Sequence, residues 1–197
     1  MSPLEVAAVV INVLGVWLTA RRNMLCWPVG IVAVLLYARL FFVWKLYDDM
    51  VLQGVYVIVQ IYGWKNWTRA RSEGTGAIQV IPLPSTSLTT GVAAATLSSL
   101  ALGAAMAVWT DDPLPWIDAT LTCFSLLASF WSARRHIENW YLWIAVDAAY
   151  TLVFLYRQND LTAGLYAMFD ALALYGALNW RSVRERHTNK NGLSRIP

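Results

Sequence analysis

Two segments decide the fold: RRNMLCWPVGI at 21–31 and RRHIENWYLWI at 134–144, which align with each other at an offset of 113 residues. At the same offset, YGWKNW at 62–67 aligns with YGALNW at 175–180. Shared apolar composition alone does not match an Arg-Arg pair, an Asn-Trp step and a Tyr-Gly step without a gap. The sequence therefore predicts two copies of one structural unit.

The composition indicates that both copies lie in a membrane. The chain has 197 residues, of which 58% are hydrophobic and 14% charged, whereas soluble domains are roughly 45–50% apolar and roughly 25% charged. A bilayer crossing needs about 20 apolar residues, so this length holds one membrane domain and no separate catalytic domain. Apolar windows predict seven spans, at 4–20, 24–44, 50–66, 88–109, 116–133, 140–156 and 161–180.

The repeat organises these spans into a 1–181 membrane domain, followed by a basic cytoplasmic tail at 182–197. Within the domain the predicted parts are repeat one at about 4–67, a linker and connector helix at about 68–109, and repeat two at about 116–180. One connector helix returns the chain to its starting side, so both repeats run in the same direction. Transporters use such repeats, with a substrate site near the midplane at the repeat interface. The predicted fold is all-α, with seven transmembrane helices in a 3+1+3 arrangement.

The loop charges predict the orientation of the chain. Twelve of the fifteen Lys and Arg residues lie in the tail and in the loops after spans one, three and five. The opposite side has most of the acidic loop residues, which are Asp48, Asp49, Asp111, Asp112 and Asp160. Because cytoplasmic loops are enriched in Lys and Arg, we expect the N-terminus outside and the C-terminus in the cytoplasm.

Two carboxylates lie where lipid should exclude them. Asp147 is near the middle of span six and Asp170 near the middle of span seven, and their repeat equivalents are Val34 and Val57. An ionisable residue inside a span usually faces a cavity or a partner. Because these acids occur in just one of the two repeats, they predict a site for a cation. The alternative is that each Asp is hydrogen-bonded to a neighbouring helix and only aids packing.

Polar and aromatic side chains share one face of span three, namely Gln53, Tyr56, Gln60, Trp64 and Trp67. Span six repeats this pattern with Asn139, Trp140, Trp143, Asp147 and Tyr150. Together with Asp170 these are the predicted substrate-binding residues, because aromatic faces bind flat or cationic ligands through stacking and cation–π attraction. Tryptophans also anchor helices at membrane interfaces, which is the expected role of Trp44, Trp109, Trp116 and Trp180.

Several functional classes lack their usual sequence support. The chain has no G-x-x-x-x-G-K-[ST], H-E-x-x-H or G-x-S-x-G motif, which are typical of nucleotide hydrolysis, zinc proteases and serine hydrolases. A retinal protein needs a Schiff-base lysine, and span seven has none. The prediction is a permease with no catalytic residues, no metal, no cofactor and no nucleic-acid partner.

The combination of IYGWKNW at 61–67 with RRHIENWYLW at 134–143 resembles the PnuC family of bacterial vitamin-precursor transporters, over about residues 4–181. The resemblance implies a fold like that of the sugar-transporting SWEETs, a homotrimer in the bacterial inner membrane, and facilitated diffusion of nicotinamide riboside. It also implies functional coupling to a cytoplasmic kinase, which traps the ligand by phosphorylation for NAD biosynthesis. The residues that match family motif positions are Trp64, Trp67, Asn139, Trp140 and Trp143.

The sequence departs from the family pattern at two places, which leaves the substrate open. Asp147 lies where the family pattern has Asn, and YGALNW keeps only one of the two tryptophans. Members of the family carry thiamine, riboflavin or deoxynucleosides, and thiamine is a flat cation like nicotinamide riboside. The alternative from another class is a membrane-embedded enzyme or assembly factor that uses Asp147 and Asp170 as a carboxylate pair.

Overall fold

The computed structural model describes residues 3–73 and 78–193, and over these residues the chain forms seven α-helices, as predicted. In chain order they are α1 Pro3–Ala20, α2 Cys26–Val43, α3 Tyr47–Glu73, α4 Ser85–Trp109, α5 Pro115–Ala133, α6 Glu138–Tyr156 and α7 Asp160–Leu193.

Within the described residues, four helices are long and apolar enough to cross a membrane: α1, α2, α4 and the Asp160–Arg186 part of α7. The other three predicted spans are helical but do not meet that criterion of length and composition. Each of them carries polar side chains, such as Gln60 in α3, Asp118 in α5 and Asp147 in α6. Polar groups on a helix face that avoids lipid lower the mean hydropathy of the whole helix.

Two helices extend further than the sequence predicts. The predicted linker starts at 68, but α3 continues to Glu73, and α7 continues to Leu193 through most of the predicted tail; residues 194–197 lie outside the described chain. Both extensions carry an ion pair between residues four apart, Arg69–Glu73 at 2.8 Å and Arg181–Glu185 at 3.0 Å. Such pairs stabilise exposed helix surface by about 0.2–0.5 kcal/mol each.

The helix ends repeat at the offset seen in the sequence. Ala20 and Ala133 end α1 and α5, and Val43 and Tyr156 end α2 and α6. Tyr47 and Asp160 begin α3 and α7. Each of these pairs is separated by 113 residues, which is the offset that aligns the two Arg-Arg segments.

The turns that follow these helices repeat as well. Within the described chain the non-glycine residues with positive φ form two pairs at the same offset, which are Arg22 at 53° with Arg135 at 68°, and Lys45 at 62° with Gln158 at 55°. After each of them a backbone N–H bonds the carbonyl five residues earlier, as in Asn23 to Leu18 and His136 to Trp131. This is the Schellman ending of a helix.

The chain divides into two compact units, and unit 1 comprises residues 1–80, 133–135 and 175–197. In unit 1, α2 packs against both α1 and α3. Two glycines allow the close approach of α2 and α3. A Cβ at Gly63 would overlap the ring of Trp27, and a Cβ at Gly30 would lie 2.6 Å from the Gln60 side-chain nitrogen.

Two asparagines in unit 1 bind the last carbonyls of other helices. The Asn66 side-chain amide donates to the carbonyl of Ala133 at 2.8 Å, and the Asn179 amide donates to the carbonyl of Ala20, also at 2.8 Å. The final carbonyls of a helix lack donors within the helix, and the asparagine side-chain amides supply such donors. We refer to the two bonds as the asparagine clasps.

A buried cluster of three tryptophans lies beside the clasps. Trp67 and Trp180 are both fully buried, and their ring centroids are 6.0 Å apart. Trp27 meets Trp67 edge-on at 5.2 Å. The indole N–H of Trp180 donates to the same Ala20 carbonyl that accepts from Asn179, at 3.1 Å. This cluster is the core of unit 1.

Unit 2 comprises residues 81–132 and 136–174. In it, the ring of Trp116 on α5 packs on Gly103 of α4, where a Cβ would lie 2.6 Å from the ring. Arg157, which follows α6, forms ion pairs with Asp112 at 3.4 Å and with Asp118 at 2.9 Å. These contacts connect α4, α5 and α6 at one end of the unit.

We predict that Gly63→Ala lowers the thermal unfolding midpoint, because the added methyl group overlaps the buried Trp27 ring and overpacking typically costs about 1–3 kcal/mol. The matched control is Gly54→Ala on the same helix, where nothing lies within 4 Å of the added atom and the better helix propensity of Ala favours folding. Thermal unfolding of both variants in detergent measures the difference. Equal midpoints for the two variants would contradict the described packing of α2 against α3.

Candidate functional site

Two carboxylates lie on neighbouring helices in unit 2. Asp147 of α6 is 5% exposed, and Asp170 of α7 is half-buried. Asp147 and Asp170 lie on the two helices whose Tyr150 and Tyr166 rings are 4.5 Å apart, each within four residues of its tyrosine along the helix. Oδ1 of Asp170 is buried and has no hydrogen-bond partner among the described residues. Unit 2 therefore has two acidic side chains near stacked rings and an unused acceptor.

Aromatic rings stack between the same two helices. The Tyr150 and Tyr166 centroids are 4.5 Å apart with an interplanar angle of 23°, and Phe154 lies 5.3 Å from Tyr166. Tyr150 also stacks on Phe154 of its own helix, with ring centroids 6.3 Å apart. Thus α6 and α7 present a stack of three rings.

This arrangement suits an organic cation better than a metal ion. No group of three or more His, Cys, Asp or Glu side chains is placed to hold a metal in the described part of the chain. Paired carboxylates attract positive charge, and aromatic faces attract cations through the ring quadrupole. Unit 2 therefore combines the two features that bind a flat, positively charged ring.

The predicted residues at the start of α6 are mostly buried. Asn139 is fully buried and Trp140 is 2% exposed, whereas Trp143 is half-buried. The Asn139 amide donates to the carbonyl of His136, and its Oδ1 is buried without a hydrogen-bond partner in the described chain. Asn139 thus helps to fix the first turn of α6.

In the structure of unit 1, the five residues of the predicted stripe on α3 differ in their exposure. Gln53, Tyr56 and Gln60 are half-buried, and Trp64 is 41% exposed. Trp64 lines an open surface depression of about 520 Å³ formed by α3 side chains. Trp67, by contrast, is fully buried in the tryptophan cluster.

Sequence reasoning misplaced one residue and missed two others. Trp180, expected at the membrane interface, is fully buried because its indole N–H bonds the end of α1. Tyr166 was missed although it is the repeat equivalent of Gln53, a residue of the predicted stripe. Trp27, which aligns with Trp140 at the repeat offset, was not predicted to belong to the buried cluster. The repeat offset could have identified Tyr166, because it aligns Tyr166 with Gln53.

Curated relatives match nearly the whole chain. The nicotinamide riboside transporter PnuC of Escherichia coli K12 is 24% identical, and the match covers 94% of this chain and 88% of that protein. The PnuC protein of Neisseria mucosa is 26% identical, with coverage of 96% and 76%. The riboflavin/roseoflavin transporter RibM of Streptomyces davaonensis is 25% identical, with coverage of 94% and 89%.

A solved structure and a family model agree with these relatives. The crystal structure of the vitamin B3 transporter PnuC matches with a TM-score of 0.74 and 25% identity, covering 93% of this chain and 83% of that one. The family model for nicotinamide mononucleotide transporters matches residues 2–182. That match shows that the chain belongs to this family of multi-pass membrane transporters.

Proposed function

We propose that the chain mediates facilitated diffusion of nicotinamide riboside across the bacterial inner membrane. The observation that supports this most is the stack of Tyr150 and Tyr166 between α6 and α7, the helices that carry Asp147 and Asp170. Nicotinamide riboside is a flat pyridinium cation, so its charge is complementary to the carboxylates and its ring to the tyrosines. The PnuC relatives, named as nicotinamide riboside transporters, give independent support.

In the proposed architecture, α1–α3 and α5–α7 are two parallel repeats joined by α4. The common offset of helix ends and positive-φ turns supports this arrangement. The N-terminus is outside and the C-terminus is cytoplasmic, because Lys and Arg concentrate at the loops and tail on one side. We also propose a homotrimer, on the basis of the family resemblance.

The predicted site residues divide into two roles under this proposal. Asp147 and Asp170 neutralise the ligand cation while Tyr150 contacts its ring. The remaining predicted ligand contacts, each considered within its own unit, are half-buried or exposed, namely Gln53, Tyr56, Gln60, Trp64 and Trp143. Trp67, Asn139 and Trp140 are at most 2% exposed, so they position helices.

Net uptake then depends on chemistry inside the cell. A permease without an energy source only equilibrates its ligand, so accumulation requires that the ligand be removed. Phosphorylation by a cytoplasmic kinase adds negative charge, which a site built from carboxylates disfavours. The kinase therefore traps the product and directs it towards NAD synthesis.

Riboflavin is the second candidate ligand, because RibM matches this chain with an identity and coverage similar to those of the PnuC proteins. Riboflavin has a flat ring system but no positive charge. The aromatic stack suits both ligands, whereas the carboxylate pair favours the cation. We therefore expect the cation to bind more tightly than riboflavin.

We predict that transport is passive. In proteoliposomes containing only this protein, uptake of nicotinamide riboside should stop when the internal and external concentrations are equal. The reason is that the sequence has no nucleotide-binding motif and no series of charged residues along a span. Accumulation above the external concentration under a proton or sodium gradient, with no kinase inside, would contradict the proposal. Chemical alteration of the ligand would instead support the membrane-enzyme alternative.

We predict that Asp147→Asn reduces the preference for nicotinamide riboside over its neutral, ring-reduced analogue by about tenfold, which corresponds to about 1.4 kcal/mol. The amide is similar in size to the carboxylate but has no charge. The control is Asp111→Asn, which removes a charge from an exposed loop residue. The ratio of the two dissociation constants is the measurement, and an unchanged ratio would identify Asp147 as a packing residue.

We predict that Trp64→Ala weakens ligand binding by about 5- to 150-fold, because ring stacking contributes roughly 1–3 kcal/mol per aromatic side chain. Trp109→Ala is the control, since Trp109 is 81% exposed at the end of α4. Binding to folded, purified variants provides the measurement. Equal losses for the two variants would show that Trp64 does not contact the ligand.

A further inference from the structure

The arginines that follow α1 and α5 occupy a backbone conformation that usually favours glycine. Arg22 and Arg135 have φ values of 53° and 68°, and they are repeat equivalents. A left-handed conformation costs roughly 1–2 kcal/mol for a residue with a side chain. Each repeat therefore holds a strained arginine at the same position, next to the helix end bound by an asparagine clasp.

The residues facing these two arginines are themselves repeat equivalents, but they have opposite charges. Arg135 interacts with the negative charge of Glu73, whereas Arg22 interacts with the positive charge of Arg186. Glu73 and Arg186 are separated by the repeat offset of 113 residues. One repeat thus places near its arginine an acid that also pairs with Arg69 at 2.8 Å, whereas the other repeat places a second cation there.

Among the described residues, one buried nitrogen of the Arg22 side chain, Nη1, has no hydrogen-bond partner. The side chain as a whole is half-buried. Burial, followed by the charge of Arg186, lowers the pKa of the Arg22 guanidinium from its usual value. Nε of Arg135 also lacks a hydrogen bond, but there Glu73 provides an opposing charge.

The neighbouring polar groups do not offset the two cations. Arg186 donates to the backbone carbonyl and hydroxyl of Ser182, at 3.2 and 3.3 Å, and both acceptors are neutral. The adjacent acid, Glu185, is paired with Arg181 at 3.0 Å. An arginine presents several N–H donors in a planar fork that suits phosphate oxygens. The missing partner of this pair is therefore an anion.

We propose that Arg22 and Arg186 form a binding site for a phosphate group, carried either by an anionic lipid headgroup or by a soluble phosphate. Basic pockets at the ends of membrane helices bind lipid headgroups in this way. This site is separate from the cation site proposed for α6 and α7, and it does not depend on the transported ligand.

The test is a titration of the purified protein in neutral detergent, with the thermal unfolding midpoint as the readout. One arm adds short-chain phosphatidylglycerol against phosphatidylcholine, and the other adds inorganic phosphate against chloride at equal ionic strength. Stabilisation in the first arm alone identifies a lipid headgroup as the ligand, and stabilisation in the second arm identifies free phosphate. No stabilisation in either arm overturns the proposal.

Variants at equivalent positions of the two repeats provide matched controls. Arg22→Gln should weaken the apparent affinity for the stabilising anion by about fivefold, the scale of one basic residue near an anionic surface. Arg135→Gln removes the same charge from the same turn and should leave that affinity unchanged. Equal effects of the two variants would show a nonspecific response to charge and overturn the proposal.

A third variant imitates the other repeat. Arg186→Glu places an acid opposite Arg22, as Glu73 lies opposite Arg135. This variant should have a higher unfolding midpoint without anion than the parent protein and should lose the response to anion. Since Arg186 is exposed on the surface of α7, the substitution leaves the core intact. A retained response to anion would overturn the proposal.

Discussion

The carbonyl groups at the end of a membrane helix need hydrogen-bond donors, and the asparagine clasps supply them for α1 and α5. Asn66 and Asn179 reach the carbonyls of Ala133 and Ala20 from the far ends of α3 and α7. An unsatisfied backbone group in an apolar setting costs several kcal/mol, so these bonds fix the ends of α3 and α7. The same two helices carry the polar stripe and Asp170.

The differences between the repeats carry more functional information than their similarities. Among the shared residues, Asn66 and Asn179 bind carbonyls at helix ends. Trp67 and Trp180 form part of the tryptophan cluster. The residues that differ introduce charge or aromatic surface, as where Val57, Gln53 and Glu73 are replaced by Asp170, Tyr166 and Arg186. A site for an asymmetric ligand requires such departures, because two identical halves would present the same groups twice.

Sequence periodicity predicted the number of helices and most of their ends, because the apolar windows and the repeat constrain them independently. It placed the ends of α3 and α7 too early, since the charged residues beyond 67 and 180 form helix through local ion pairs rather than through burial. It assigned Trp180 to the membrane interface, because nothing in the neighbouring sequence indicates that its indole N–H bonds the distant carbonyl of Ala20. Sequence alone did not separate buried Trp67 from exposed Trp64, because Trp67 is buried by contacts with Trp27 and Trp180, which are distant in sequence.

The central claim is that the carboxylates beside the aromatic stack select a cationic ring. Equilibrium binding of nicotinamide riboside and of riboflavin to the purified protein, measured by calorimetry under identical conditions, tests it most directly. The account predicts saturable binding of nicotinamide riboside that riboflavin does not displace at similar concentration. Tighter binding of riboflavin, or no binding of nicotinamide riboside to the folded protein, would contradict it.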